Sequence, residues 1–132
     1  DFSAELPVEN ALSQRRVFFQ TTDTRQQSNP IEPYQGRPDG AIIDSAGNYW
    51  GALFEGGQIA QTAPDGTILQ KIALPAKCPT MPCFGGADLR TLIVTTTGDR
   101  PIDELAQYPA NGFILSIHLP VAGLPTRRYC EQ

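Results

Sequence analysis

The stretch "GRPDGAIIDSAGNYWGALFEGGQIAQTAPDGTILQKIALP", residues 36–75, carries the tripeptide Pro-Asp-Gly twice, at 38–40 and 64–66. Proline presets φ, aspartate bonds its own backbone and glycine accepts positive φ, so each copy reads as a turn. Around them apolar residues recur at every second position. "GAIIDS" (40–45), "NYWGALF" (48–54), "GQIAQTA" (57–63) and "TILQKIAL" (67–74) are therefore expected to be four short strands. Turn residues fall between them at 45–48, 55–57 and 64–66.

The same period continues in both directions, through "RRVFFQT" (15–21), "TLIVTTT" (91–97), "GFILSIHL" (112–119) and "TRRYC" (126–130). "PIDELAQYP" (101–109) is expected to be one helical turn inside a loop insertion, with Pro101 in the first turn and Asp103 and Glu104 near its N-terminus. "TTDTRQQSNPIEPYQ" (21–35) is polar and aperiodic, a long loop. Many short antiparallel strands suggest a sandwich, a barrel or a propeller. An internal repeat helps to choose: laying "PDGAIIDSAGN-YWGAL" over "PTMPCFGGADLRTLIVT" pairs Asp39 with Thr80, Ile43 with Phe84 and Trp50 with Leu92. The offset of roughly 41 residues suits a four-stranded propeller blade. Residues 38–74 then form one blade, and 79–130 a second, lengthened by an insertion at 98–110. Residues 1–22 supply outer strands of a preceding blade. The expected fold is all-β, about two and a half β-propeller blades, with open strand edges that call for partners.

The 132 residues carry a net charge of −4 and no Lys/Arg cluster, which argues against nucleic acid. No apolar run is long enough to span a bilayer as a helix. The chain opens at Asp1 without Met, which leaves room for an upstream segment. Cys78, Cys83 and Cys130 show no C-x-x-C spacing and read as reduced cytoplasmic thiols, Cys83 buried as a small hydrophobe. The lone His118 has no zinc-ligating partner in sequence, and neither a Gly-x-Ser-x-Gly elbow nor a phosphate-binding glycine loop is present.

The 36–75 stretch, the following "PTMPCFGGADLRTLIVTTTG", the opening "DFSAELPVENALSQRRVFF" and "DELAQYPANGFILSIHLPVAGLP", in this order, resemble the regucalcin (senescence marker protein)/gluconolactonase family. The resemblance covers essentially the whole chain, but only the C-terminal part of such proteins, which are six-bladed propellers. It implies hydrolysis of a sugar lactone assisted by a divalent cation (Ca2+, Zn2+, Mg2+ or Mn2+) in the central channel. It also implies three protein ligands: a Glu, an Asn and the Asp of the GRPDG-type motif, which is Asp39 here. The Glu, the Asn and the sugar-contacting residues belong to blades upstream of Asp1.

Asp39 is thus the expected metal ligand and the candidate to orient or deprotonate the attacking water. Arg37, Thr80 and Met81 are candidates for the channel wall, and Arg37 for an anionic ligand. Asp65 reads as a solvent-facing hairpin residue, and Asp44 and Asp88 as residues of inner hairpins. Tyr49, Trp50 and Phe84 read as packing within or between blades. The function expected is that of the C-terminal part of a metal-dependent, cytoplasmic sugar lactonase, the isolated chain being incomplete. Its partners are the lactone and either the N-terminal blades or a second copy, with no nucleic acid or membrane involved. The alternative is a calcium-binding or scaffold propeller without significant hydrolysis.

Overall fold

The computed structural model describes residues 16–21, 24–25 and 34–125. Among them the chain forms strands β1 (Arg37–Ile43), β2 (Tyr49–Phe54), β3 (Gln58–Thr62) and β4 (Ile68–Ala73), which make one sheet in that order. A second sheet contains β5 (Pro79–Gly85), β6 (Thr91–Thr96) and β7 (Ile114–His118), with helix α1 (Ile102–Gln107) between β6 and β7. Every pairing is antiparallel. The helix runs six residues rather than one turn, because Pro101 caps it and Leu105 N–H donates to the Pro101 carbonyl. Residues 16–21, inside the expected strand at 15–21, have no regular secondary structure. The strand expected at 126–130, Cys130 and most of the outer strands expected in 1–22 lie outside the described residues.

The two sheets are packed face on face. Trp50, Ala52 and Ile59 of the first meet Phe84, Leu92 and Val94 of the second, with Leu119 at the rim. Trp50 and Phe84 make an edge-on contact at 6.1 Å, so these aromatics pack between blades as expected. Burial also tells the sheets apart. Four consecutive residues of β2, Trp50 to Leu53, are buried, since the middle of this sheet is covered on both faces. Its second face carries the N-terminal segment: Phe18 and Phe19 lie against Tyr49, at 5.6 and 5.9 Å. In contrast, β5 and β7 alternate between covered and exposed side chains, the pattern of a sheet with one free face. That pattern corrects the expectation for cysteine. Cys83 is exposed on the free face, flanked by inward Pro82 and Phe84, whereas Cys78 is the buried thiol.

The internal repeat appears in the backbone. The register of β1 against β2 shifts between Pro38 and Ala41, and that of β5 against β6 between Pro79 and Pro82. These are equivalent places in the repeat, so Asp39-Gly40 and Thr80-Met81 each sit in a bulge on the first strand of their sheet. A bulge carries an extra residue and re-aims its side chains. The two bulges touch, because a Cβ on Gly40 would lie 2.6 Å from the Thr80 carbonyl oxygen. Hence β1 and β5, each the free edge of its sheet, run side by side at their bulges.

Candidate functional site

The candidate site is built from the start of β1 outward. Gly36 takes φ +90°, and a Cβ there would meet the Phe54 carbonyl and Gly56 N at 2.7 Å. A Cβ on Gly56 would stand 2.0 Å from the Gln35 carbonyl oxygen. This glycine-on-glycine approach presses the strand entry onto the β2–β3 turn. It therefore sets Arg37 beside Glu55, with Nη1 donating to Oε2 at 2.7 Å. The guanidinium also lies 4.5 Å over the Phe54 ring.

Glu55 adopts φ 62°, a left-handed conformation that non-glycine residues rarely take. Its carboxylate also receives Arg25 at 3.4 Å and Arg100 at 3.0 Å. Arg100 in turn holds Glu104 of α1, which Lys77 reaches at 2.7 Å. The Arg100 and Lys77 hydrogen bonds pull the Glu104 carboxyl down to about 2. Conversely, Glu104 raises Lys77 and Arg100 above their ordinary values. Burial pushes up the neighbouring Cys78 thiol, whose Sγ lies 3.7 Å from Glu104. This charged chain fastens the insertion to the first sheet.

Asp39, two residues along β1 from Arg37, is exposed in the bulge and makes no hydrogen bond or ion pair among the described residues. Thr80 and Met81 form the adjoining bulge. Thr95 braces it, with its hydroxyl 2.7 Å from the Thr80 hydroxyl and accepting from Met81 N–H at 3.2 Å. Met81 is half exposed. The structure thus brings together the Asp39, Thr80 and Met81 segments, and ties Arg37 to Glu55 beside them. His118 is exposed at the far end of β7 and joins none of this. Among the described residues no group of three His, Cys, Asp or Glu is placed to hold a metal ion. A hard cation takes six or more oxygens, so Asp39 fits only as one member of a ligand set.

The other aspartates separate sharply. Asp65 is an exposed turn residue accepting from Thr67 N–H at 2.9 Å, as expected. Asp88 likewise accepts only from a neighbouring amide, that of Arg90. Asp44 does lie in the β1–β2 hairpin, as expected, but it is fully buried there. Its Oδ1 accepts from the amides of Ala46 and Asn48, both at 2.9 Å. Its Oδ2 accepts from Trp50 Nε1 at 2.8 Å, Asn48 Nδ2 at 3.0 Å and Gln61 Nε2 at 3.2 Å. Burial pushes this carboxyl up, but the hydrogen bonds from Trp50, Asn48 and Ala46 outweigh it and hold the group below its usual value. The spacing Asp44-x-x-Gly47-Asn48-x-Trp50 was the available signal.

Comparison with known proteins adds the family. Residues 3–98 match the description of the SMP-30/Gluconolactonase/LRE-like region. A 6-deoxy-6-sulfogluconolactonase of Pseudomonas putida is 48% identical over 89 residues, covering 67% of this chain and 31% of that protein. Regucalcin of Danio rerio is 36% identical over 121 residues, 89% of this chain and 38% of the relative. The crystal structure of a calcium-binding regucalcin from Agrobacterium tumefaciens superimposes with a TM-score of 0.68 at 25% identity, over 85% of this chain and 35% of the other. The chain therefore spans about a third of the length of these relatives. With two antiparallel sheets packed as neighbouring propeller blades and this match over most of its length, the chain belongs to the SMP-30/gluconolactonase/LRE-like family.

Proposed function

We propose that this chain forms part of a divalent-cation-dependent sugar lactonase and contributes Asp39 to its site. The carrying observation is the state of Asp39. Three other carboxylates, Asp44, Glu55 and Glu104, are committed to hydrogen bonds or ion pairs. Asp39 alone of these four is exposed and unengaged, at a bulge where two blades meet. The lactonase name of a relative 48% identical gives the reaction class.

In the reaction, water adds to the lactone carbonyl carbon and the ring C–O bond breaks. The ring oxygen takes a proton and leaves as a hydroxyl, giving the hydroxy acid. A bound divalent cation supplies Lewis-acid polarisation of the carbonyl. Asp39 offers it one hard oxygen ligand, and the same carboxylate can orient the water or accept its proton. Thr80 and Met81 form the wall beside it. The further ligands come from blades outside this chain, which a protein the length of the relatives would carry. Cytoplasmic residence belongs to the same reading, supported by the free thiols Cys78 and Cys83.

The test uses the full-length protein. Asp39→Ala should lower metal-dependent hydrolysis of gluconolactone at least about 100-fold and weaken cation binding in calorimetry, with an unchanged circular dichroism spectrum. An unchanged metal-dependent rate would remove Asp39 from the ligand set. Cation binding without lactone opening in the wild-type protein would favour a calcium-binding propeller instead.

A further inference from the structure

We infer that Thr95 is a positioning residue: by holding the Thr80–Met81 bulge it fixes where Asp39 presents its carboxylate. The inference deepens the lactonase reading and rests on it for its catalytic consequence. Three observations carry it.

First, the Asp39 side chain is aimed by its backbone alone. Its carboxylate makes no hydrogen bond or ion pair among the described residues. That backbone lies in a bulge, where an extra residue leaves the ladder locally broken. Asp39 and Gly40 stand opposite the single residue Ala52, because Pro38 pairs with Leu53 and Ala41 with Gly51. The side chain of Ala52 is a methyl group, which can hydrogen-bond to neither of them.

Second, the equivalent bulge is braced by a side chain. Thr80 and Met81 stand opposite the single residue Thr95, because Pro79 pairs with Thr96 and Pro82 with Val94. The Thr95 hydroxyl accepts from Met81 N–H at 3.2 Å and lies 2.7 Å from the Thr80 hydroxyl. The Thr80 hydroxyl also reaches the Thr95 carbonyl oxygen at 3.1 Å. Where the ladder is interrupted, the threonine hydroxyl supplies the acceptor.

Third, the braced bulge bears on the unbraced one. A Cβ on Gly40 would fall 2.6 Å from the Thr80 carbonyl oxygen and 2.7 Å from Met81 Sδ, closer than a side chain can pack. Only the bare Cα of a glycine admits that approach, and it stands next to Asp39 in the chain. The line of contact therefore runs from Thr95 through Thr80 and Met81 to Gly40 and so to Asp39. A carboxylate that ligates a cation and orients a water tolerates little movement, since a misplacement of about 1 Å can cost about 100-fold in rate.

The experiment uses three variants of the full-length protein. Thr95→Val keeps the branched shape and removes the hydroxyl, whereas Thr95→Ser keeps the hydroxyl. Thr96→Val is the stability control, because the Thr96 hydroxyl bonds the Phe113 carbonyl at 2.7 Å and Gly112 N–H at 2.8 Å instead of the bulge. Thr95→Val should lower kcat for gluconolactone at least about tenfold, change KM less than about twofold and weaken cation binding in calorimetry about tenfold. Thr95→Ser should recover most of both losses. Thr96→Val should leave both near wild type at a comparable loss of melting temperature. In the metal-free protein, the amide resonances of Asp39 and Gly40 should shift in Thr95→Val and stay in place in Thr96→Val. Equal kcat losses in the two valine variants, or a serine variant as impaired as Thr95→Val, overturn the inference. If Asp39→Ala leaves the metal-dependent rate intact, the ligand reading fails by itself. The metal-free amides then decide the positioning: a shift at Asp39 and Gly40 in Thr95→Val upholds it, and unmoved resonances overturn it.

Discussion

Asp44 shows how one residue can organise a blade. Five donors converge on its fully buried carboxylate, from the β1–β2 turn, from Trp50 in β2 and from Gln61 in β3. A buried charge without a cation persists only when hydrogen bonds replace its water shell. Asp44→Ala would strand several buried donors, and we expect a loss of about 3 kcal/mol in denaturant unfolding. The pH dependence has a definite sign. Hydrogen bonding holds the folded-state carboxyl below its usual value, so its stabilisation is present above the unfolded value and is lost as pH falls through the folded one. Of the two Pro-Asp-Gly copies, the composition is identical and the environments differ. Asp65 bonds its own turn, while Asp39 sits in a bulge against the next blade.

At the scale of elements, the insertion helix is held by charge rather than by an apolar face. None of its residues is buried, and Ile102 is 86% exposed. Glu104 is its anchor, gripped by Arg100 and Lys77. Because Glu104 is lowered from 4.5 to about 2, the tether is intact above the unfolded value and should fail as pH falls through that window. Hydrogen-exchange protection factors at the amides of 102–108, taken against the intrinsic rate at each pH, should fall between those limits, and in Glu104→Gln at neutral pH. A second element-level expectation concerns Gly56. Gly56→Ala places a Cβ within 2.0 Å of the Gln35 carbonyl oxygen, which forces the β2–β3 turn off the strand entry. We expect a stability loss of about 2 kcal/mol by thermal melting, together with loss of the Arg37–Glu55 pairing.

For the whole molecule, the two sheets differ in what covers them. The middle strands of the first are enclosed between the second sheet and the N-terminal segment, whereas the second leaves Cys83 and Ile114 exposed on one face. Ile114 is 70% exposed. Propeller blades bury both faces, so in the isolated 132-residue chain this face and the adjacent strand edges should drive association. Light scattering over a concentration series should show a rising mass, and Ile114→Lys should reduce it. A monodisperse monomer at every concentration would show that the face tolerates water.

What the sequence determined by itself is local. The period-two alternation located β2, β3, β4, β6 and β7 to within about two residues, because pattern and turn chemistry act between near neighbours. The repeat located β5 as well, since Thr80 and Asp39 occupy equivalent bulges. Tertiary structure decided what depends on residues distant in the chain. Cys83 faces outward because its sheet has a free face, and Asp44 is buried because Trp50 and Gln61 close over it. Arg37 meets Glu55 because two glycines allow the backbones of 35–36 and 56 to touch. Identical tripeptides thus part ways for one reason: a side chain's chemistry is set by what packs against it, and that is assembled only when the sheets come together.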